Sequence, residues 1–133
     1  MPEVVSTRPL LDKLGIGHGA RVGLVGLEAP WFVDLLAERT ADVWFDDPIP
    51  GSDLVFLGAD STGDLARLGP LRSTIGQSGG IWVVSRKGRA ATLRDTDVIA
   101  AAIASGLVDN KVVAFSETQT ALRLVIPRAL RTG

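Results

Sequence analysis

The stretch Ala20-Arg-Val-Gly-Leu-Val-Gly-Leu-Glu-Ala-Pro-Trp31 decides how this chain is read. Val22, Leu24 and Val25 form a run that is apolar on both faces, the pattern of a strand inside a parallel sheet. Gly26 supplies a tight turn. Pro30 suits the first position of a helix, where its missing N–H removes a donor that would have no partner anyway. Phe32, Leu35 and Leu36 then continue at helical spacing to about Arg39. Strand, turn and helix in this order open an α/β domain.

Working outward, Leu10, Leu11, Leu14 and Ile16 predict a short helix stopped by Gly15 and Gly17, with His18 in the surface turn before the strand. Residues 42–46 read as a second strand, residues 46–53 as a proline-rich loop, and residues 53–57 as a third, buried strand. Ser61 with Asp64 three residues on is a helix-start signal, and Leu65, Leu68, Leu71 and Ile75 extend it. Pro70 inside that stripe predicts a kink or a split into two turns. Residues 76–80, Gly-Gln-Ser-Gly-Gly, read as a turn before the strand 81–85. Thr92 to Asp95 offers a second capping signal, and Gly106 is placed to end the helix that follows. Strands are expected at 111–115 and 121–126. The segment between them, residues 116–120, is too short for a parallel crossover, so these two strands must pair antiparallel.

The 133 residues fit one domain, 1–133, and can bury roughly two-thirds of the surface of the unfolded chain. Residues 1–8 and 128–133 are expected to be loosely ordered, the latter frayed or forming a short helical turn. Fourteen Lys plus Arg against 15 Asp plus Glu give a formal charge of −1, which supplies no global field for nucleic acid or an anionic membrane. The absence of cysteine excludes disulfides, thiolate zinc sites and a cysteine nucleophile, and one histidine excludes a histidine-rich metal site. No apolar run approaches the roughly 20 residues of a membrane span, and the first residues lack a secretory pattern. A cytoplasmic location is the expectation.

Over about residues 9–127, strands alternating with helices and closed by an antiparallel strand resemble the core of the class I S-adenosylmethionine-dependent methyltransferases. In that family the first strand ends in an acid followed by a Gly-x-Gly turn. Here Leu24 stands in the place of the acid, Gly26 matches the first glycine, and Glu28 occupies the place of the next. Asp46 or Asp47 matches the acid that takes the ribose hydroxyls. One helix and strand pair between the second strand and Asp53 is missing relative to the family. The combination of Leu10 to Ile16, Gly79-Gly-Ile-Trp-Val83 and Gly106-Leu-Val-Asp-Asn-Lys-Val112 more closely resembles a small, uncharacterised bacterial family of degenerate methyltransferase-like domains. The resemblance implies a Rossmann-like α/β fold: a mainly parallel sheet of about six strands with an antiparallel C-terminal hairpin, and helices on both faces.

Open sheets of this class bind ligands beyond the carboxyl ends of their strands. Candidate cofactor-binding residues on that edge are Gly26, Glu28, Asp46, Asp47 and Asp60. Glu28 reads either as a base or ligand partner or as a charge complementing the following helix. Asp46 and Asp47 read either as ribose ligands or as loop acids. Arg86, Lys87 and Arg89 beside Gly88 read either as an anion site or as a solvated basic loop. Trp31, Trp44 and Trp82 are expected mainly in the core, with Trp31 alone close enough to the turn to meet a ligand. Neither Ser85 nor Ser116 has a neighbouring histidine, so no catalytic residue is assigned, and no metal site is expected.

These observations lead to a non-catalytic binding or interaction module of methyltransferase type. The expected partners are a nucleotide-like small molecule, a protein, or a second copy meeting through the hairpin 111–126. The alternatives are a methyltransferase or other small-ligand enzyme with a remodelled glycine turn, S-adenosylmethionine being the cofactor the resemblance implies, and an anion-binding module using residues 86–89.

Overall fold

The computed structural model describes residues 9–131. Its centre is a six-stranded sheet in the order β2-β1-β3-β4-β6-β5, formed by β1 (Val22–Val25), β2 (Val43–Phe45), β3 (Ser52–Gly58), β4 (Ile75–Arg86), β5 (Val108–Ala114) and β6 (Gln119–Val125). The first four strands are mutually parallel, and β6 lies antiparallel between β4 and β5. This is a Rossmann-like α/β architecture, mainly parallel with an antiparallel C-terminal part. The antiparallel pairing of the last two strands follows the length of the connection between them. Because β6 is inserted inside the sheet, only β5 of that pair keeps a free edge.

The period-two pattern of the central strands fills two separate cores. Leu54 and Phe56 of β3 with Trp82 and Val84 of β4 face α1 (Leu10–Lys13) and α2 (Pro30–Leu36). Val55 and Leu57 with Ile81 and Val83 face α3 (Thr62–Leu65), α4 (Leu68–Arg72) and α5 (Asp95–Ala104). Phe32 sits between Phe56 and Phe115, with ring centroids 5.0 and 4.8 Å away. Trp82 is fully buried, and its indole N–H donates to the Leu14 carbonyl at 3.2 Å, which satisfies both groups and pins α1 to the sheet. The helix ends follow their sequence signals. Ser61 accepts the Asp64 N–H, the stripe splits into α3 and α4 at residues 66–67 with Pro70 inside the first turn of α4, and Gly106 at φ 78° ends α5 with Leu107 N–H returning to the Ala102 carbonyl.

Three local expectations are corrected. Residues 76–80 are not a turn: β4 begins at Ile75, and its register against β3 slips between Ser52↔Ile75 and Leu54↔Gly80. Gly79 allows that passage, because a Cβ there would lie 2.9 Å from the Asp53 carbonyl oxygen. Thr92 does not cap α5; its hydroxyl donates to the Asp60 carbonyl, while the Asp97 carboxylate caps the Arg94 N–H. Trp44 is not core. It lies 40% exposed on the edge strand β2 beside Phe45, with its indole N–H on Asp42 at 2.7 Å. Residues 128–130 form one short helical turn, and the expectation for residues 1–8 lies outside the described residues. No helix among the described residues is long and apolar enough to cross a membrane.

At their carboxyl ends β1 and β3 meet backbone to backbone. Gly26 turns with φ 61°, and a Cβ on Gly58 would overlap the Gly26 carbonyl oxygen. Neither backbone can yield without moving a central strand. Gly58→Ala is therefore expected to destabilise the chain by about 2–3 kcal/mol in urea unfolding, and a loss below about 0.5 kcal/mol would contradict the packing.

Asp42 ties β2 to the sheet through Trp44 and through the Arg21 guanidinium, 3.1 Å away. The indole N–H first, and then Arg21, hold its carboxyl below the ordinary 3.8. The folded state thus binds fewer protons than the unfolded state near that pH, and stability rises with pH. The contribution is complete above about pH 5 and is lost as pH falls through the lowered value. Asp42→Asn is expected to make the acid limb of a stability–pH curve shallower, and an unchanged limb would remove Asp42 from this role.

Candidate functional site

A cleft of about 490 Å³ opens at the carboxyl edge of the parallel strands, within the ordinary range for small-molecule sites. Its floor is the Gly26–Gly58 contact. The absence of both side chains leaves backbone exposed where a ligand can approach closely. Gly26, Glu28, Asp46 and Asp60 all line it. Asp47 lies in the next turn, exposed and outside the lining.

Asp46 organises the rim. It is the one non-glycine residue of positive φ among the described residues, at 61°. Aspartate tolerates this region better than most side chains because its short polar group bonds locally. Here the Asp46 N–H donates to the Leu24 carbonyl at 2.6 Å, and its Oδ1 accepts the Gly26 N–H at 3.2 Å. The carboxylate therefore fixes the glycine turn from the neighbouring strand and keeps one oxygen for a ligand.

Asp60 is held from three sides. Its N–H donates to Asp64 Oδ2 at 2.9 Å, its carbonyl accepts the Thr92 hydroxyl, and its Oδ1 accepts Arg86 Nε at 3.0 Å. The Asp60 N–H is the main reason that the Asp64 carboxyl stays below its ordinary value. Burial opposes the shift, while Ser61 and then Arg67 add to it. Of the basic segment, Arg86 is engaged with Asp60 and the Lys87 N–H with the Thr118 carbonyl, while Gly88 takes φ 70°. Lys87 and Arg89 do not line the cleft. Trp31 is not core either: it lies 44% exposed, packs on Phe115 with ring centroids 5.1 Å apart, and is not in the lining.

Three lining residues escape a reading of the sequence: Asp64, Arg67 and Gln119. Asp64 reads there only as a helix-start acid, and Arg67 carries no signal of its own. Arg67 Nη1 lies 3.3 Å from where a Gly26 side chain would begin, so the guanidinium stands over the turn. Gln119 arrives because β6 runs antiparallel and starts at the edge where the parallel strands end. The only sequence signal for it is the antiparallel constraint on residues 116–120. Four carboxylates (Glu28, Asp46, Asp60 and Asp64) and one cation, Arg67, line the cleft, and Arg86 just outside the lining pairs with Asp60, so the acids keep an excess of two. Such a cleft favours a ligand bearing positive charge and disfavours a polyphosphate.

No family model matches the chain, and no curated protein matches it in sequence. Solved structures resemble it in fold. An S-adenosylmethionine-dependent methyltransferase from Aquifex aeolicus superimposes with a TM-score of 0.69 at 13% identity, over 89% of this chain and 88% of that one. A provisionally assigned type 11 methyltransferase from Sulfolobus solfataricus gives 0.67 at 14%, over 93% of each chain. Magnesium protoporphyrin IX methyltransferase from Synechocystis PCC 6803, solved with bound S-adenosylmethionine, gives 0.66 at 14%, over 88% of this chain and 74% of that one. At these identities the likeness is one of architecture: the chain has the fold of the S-adenosylmethionine-dependent methyltransferases.

Proposed function

We propose that the chain is a binding module for S-adenosylmethionine or a closely similar sulfonium ligand, held in the cleft at the carboxyl edge. The observation that carries this reading is the convergence of Gly26, Glu28, Asp46 and Asp60 on one cleft with a floor free of side chains. The residues present fit the ligand. Asp46 has a carboxylate oxygen free for hydroxyl groups, Arg67 stands by the glycine turn where a ligand carboxylate can be met, and the excess of acid suits a sulfonium. The same excess argues against a nucleotide phosphate in this cleft. Binding without turnover is favoured because two of the lining acids, Asp60 and Asp64, are already engaged with protein donors.

A second reading, methyl transfer, is supported by Glu28. It is exposed at the rim of the cleft, where a carboxylate can take a proton from an acceptor hydroxyl as the methyl group leaves sulfur. Bound S-adenosylmethionine would supply the electrophilic methyl group.

Calorimetric titration separates these readings. S-adenosylmethionine is expected to bind more tightly than S-adenosylhomocysteine, which lacks the sulfonium charge, and more weakly as salt rises. Asp46→Asn, which keeps a side chain tolerant of positive φ, is expected to weaken binding about tenfold, or roughly 1.4 kcal/mol, with little change in thermal stability. Absence of binding by both compounds would remove the proposal. Release of S-adenosylhomocysteine in the presence of a hydroxylated acceptor, abolished by Glu28→Gln at unchanged affinity for S-adenosylmethionine, would establish transfer over binding alone.

A further inference from the structure

A second cavity, of about 460 Å³, lies at the opposite, amino edge of the parallel strands. Two glycine-rich segments frame it. One is the turn Gly17-His-Gly-Ala20 before β1, and the other is the bulged start of β4 around Ser78 and Gly79. Arg123 of β6 enters between them. It pairs in register with Trp82, so its side chain emerges on the Trp82 face, beside Gly80. A Cβ on Gly80 would lie 2.9 Å from Arg123 Nε, so the glycine makes room for the guanidinium.

Arg123 lacks a counterpart. Its Nε is buried without a hydrogen-bond partner, and among the described residues no carboxylate reaches the guanidinium within ion-pair distance. Leaving such a donor unpaired is costly, and native structures seldom do so without a reason. Asp53 shares the lining, but its Oδ2 accepts the Arg21 N–H at 2.8 Å. Burial first, and then the nearby cation Arg131, press the Arg123 pKa downward, so the surroundings favour an incoming negative charge. The exposed backbone of Gly17 and His18 shares the lining with Arg123. A guanidinium entering a concavity lined by exposed, glycine-rich backbone can take an oxyanion.

We propose that this cavity is a phosphate-binding site, taking inorganic phosphate or a phosphate monoester, with Arg123 as the charged partner and the Gly17–His18 backbone completing it. It is independent of the acidic cleft at the other edge, whose charge would repel the same group.

The test is titration of the full chain with inorganic phosphate, and separately with glycerol phosphate, at constant ionic strength, followed by calorimetry and by the 31P resonance. Saturable binding is expected for the wild type, with acetate at equal ionic strength much weaker. Tighter binding of glycerol phosphate would identify the monoester as the natural form, and equal or weaker binding the free ion. Arg123→Met removes the charge but keeps an apolar stem over Gly80, and is expected to weaken phosphate binding by at least about tenfold. Gly17→Glu leaves Arg123 untouched and adds an acid at the mouth. Its Cβ would meet nothing within 4 Å and its φ lies outside the positive region, so the fold accepts it. It is expected to weaken binding similarly, and it decides between the outcomes if Arg123→Met does not fold. Arg86→Gln, in the basic loop at the other edge, is expected to leave binding unchanged. Absence of saturable phosphate binding, unchanged affinity in Gly17→Glu or in folded Arg123→Met, or loss in Arg86→Gln would overturn the assignment.

Discussion

The candidate site depends on a contact in which neither partner has a side chain. Gly26 and Gly58 bring the ends of β1 and β3 together through backbone alone, and a methyl group at Gly58 would collide with a carbonyl oxygen that cannot move. Everything at the carboxyl edge is built around that closeness. Asp46 reaches across from β2 to hold the Gly26 N–H, Arg67 stands over the turn, and Asp60 continues from β3 into a net of hydrogen bonds reaching Asp64, Arg86 and Thr92. Hydrophobic burial on both faces keeps the sheet together. The two glycines decide where that sheet leaves an opening.

Much of the architecture is legible in the sequence because it is imposed locally. Ile81-Trp-Val-Val84 has the pattern of a strand buried on both faces, Pro30 suits the first position of a helix, and five residues between two strands join them antiparallel. The failures are long-range. Residues 76–80 carry the composition of a turn, yet they extend β4 because the neighbouring β3 backbone leaves space that glycine can occupy. Trp44 has the look of core, but it falls on an edge strand with nothing beyond it, and its indole finds a carboxylate instead.

The candidate site shows the same division. Gly26, Glu28, Asp46 and Asp60 can be picked out by asking which residues follow strands. Their convergence, the exclusion of Asp47, and the arrival of Arg67 and Gln119 depend on the order of strands and the packing of α4, which no local spacing encodes. Arg123 is harder still to find. In sequence it is one polar residue in an apolar run, and its significance rests on a missing partner. A net charge of −1 gives no hint that acids gather at one end of the sheet while an unpaired guanidinium sits at the other.

The two borders of the sheet also govern how the molecule behaves in a crowd. β2 is three residues long with Asp42 before it and Asp46 after it, too brief and too charged to template another strand. β5 carries Asp109 and Lys111, and its register against β6 slips between them, so the strand is irregular there. Short, charged and irregular borders oppose the addition of foreign strands. Trp44 and Phe45 stay exposed beside such a border, where the acids flanking β2 oppose fibril-like stacking.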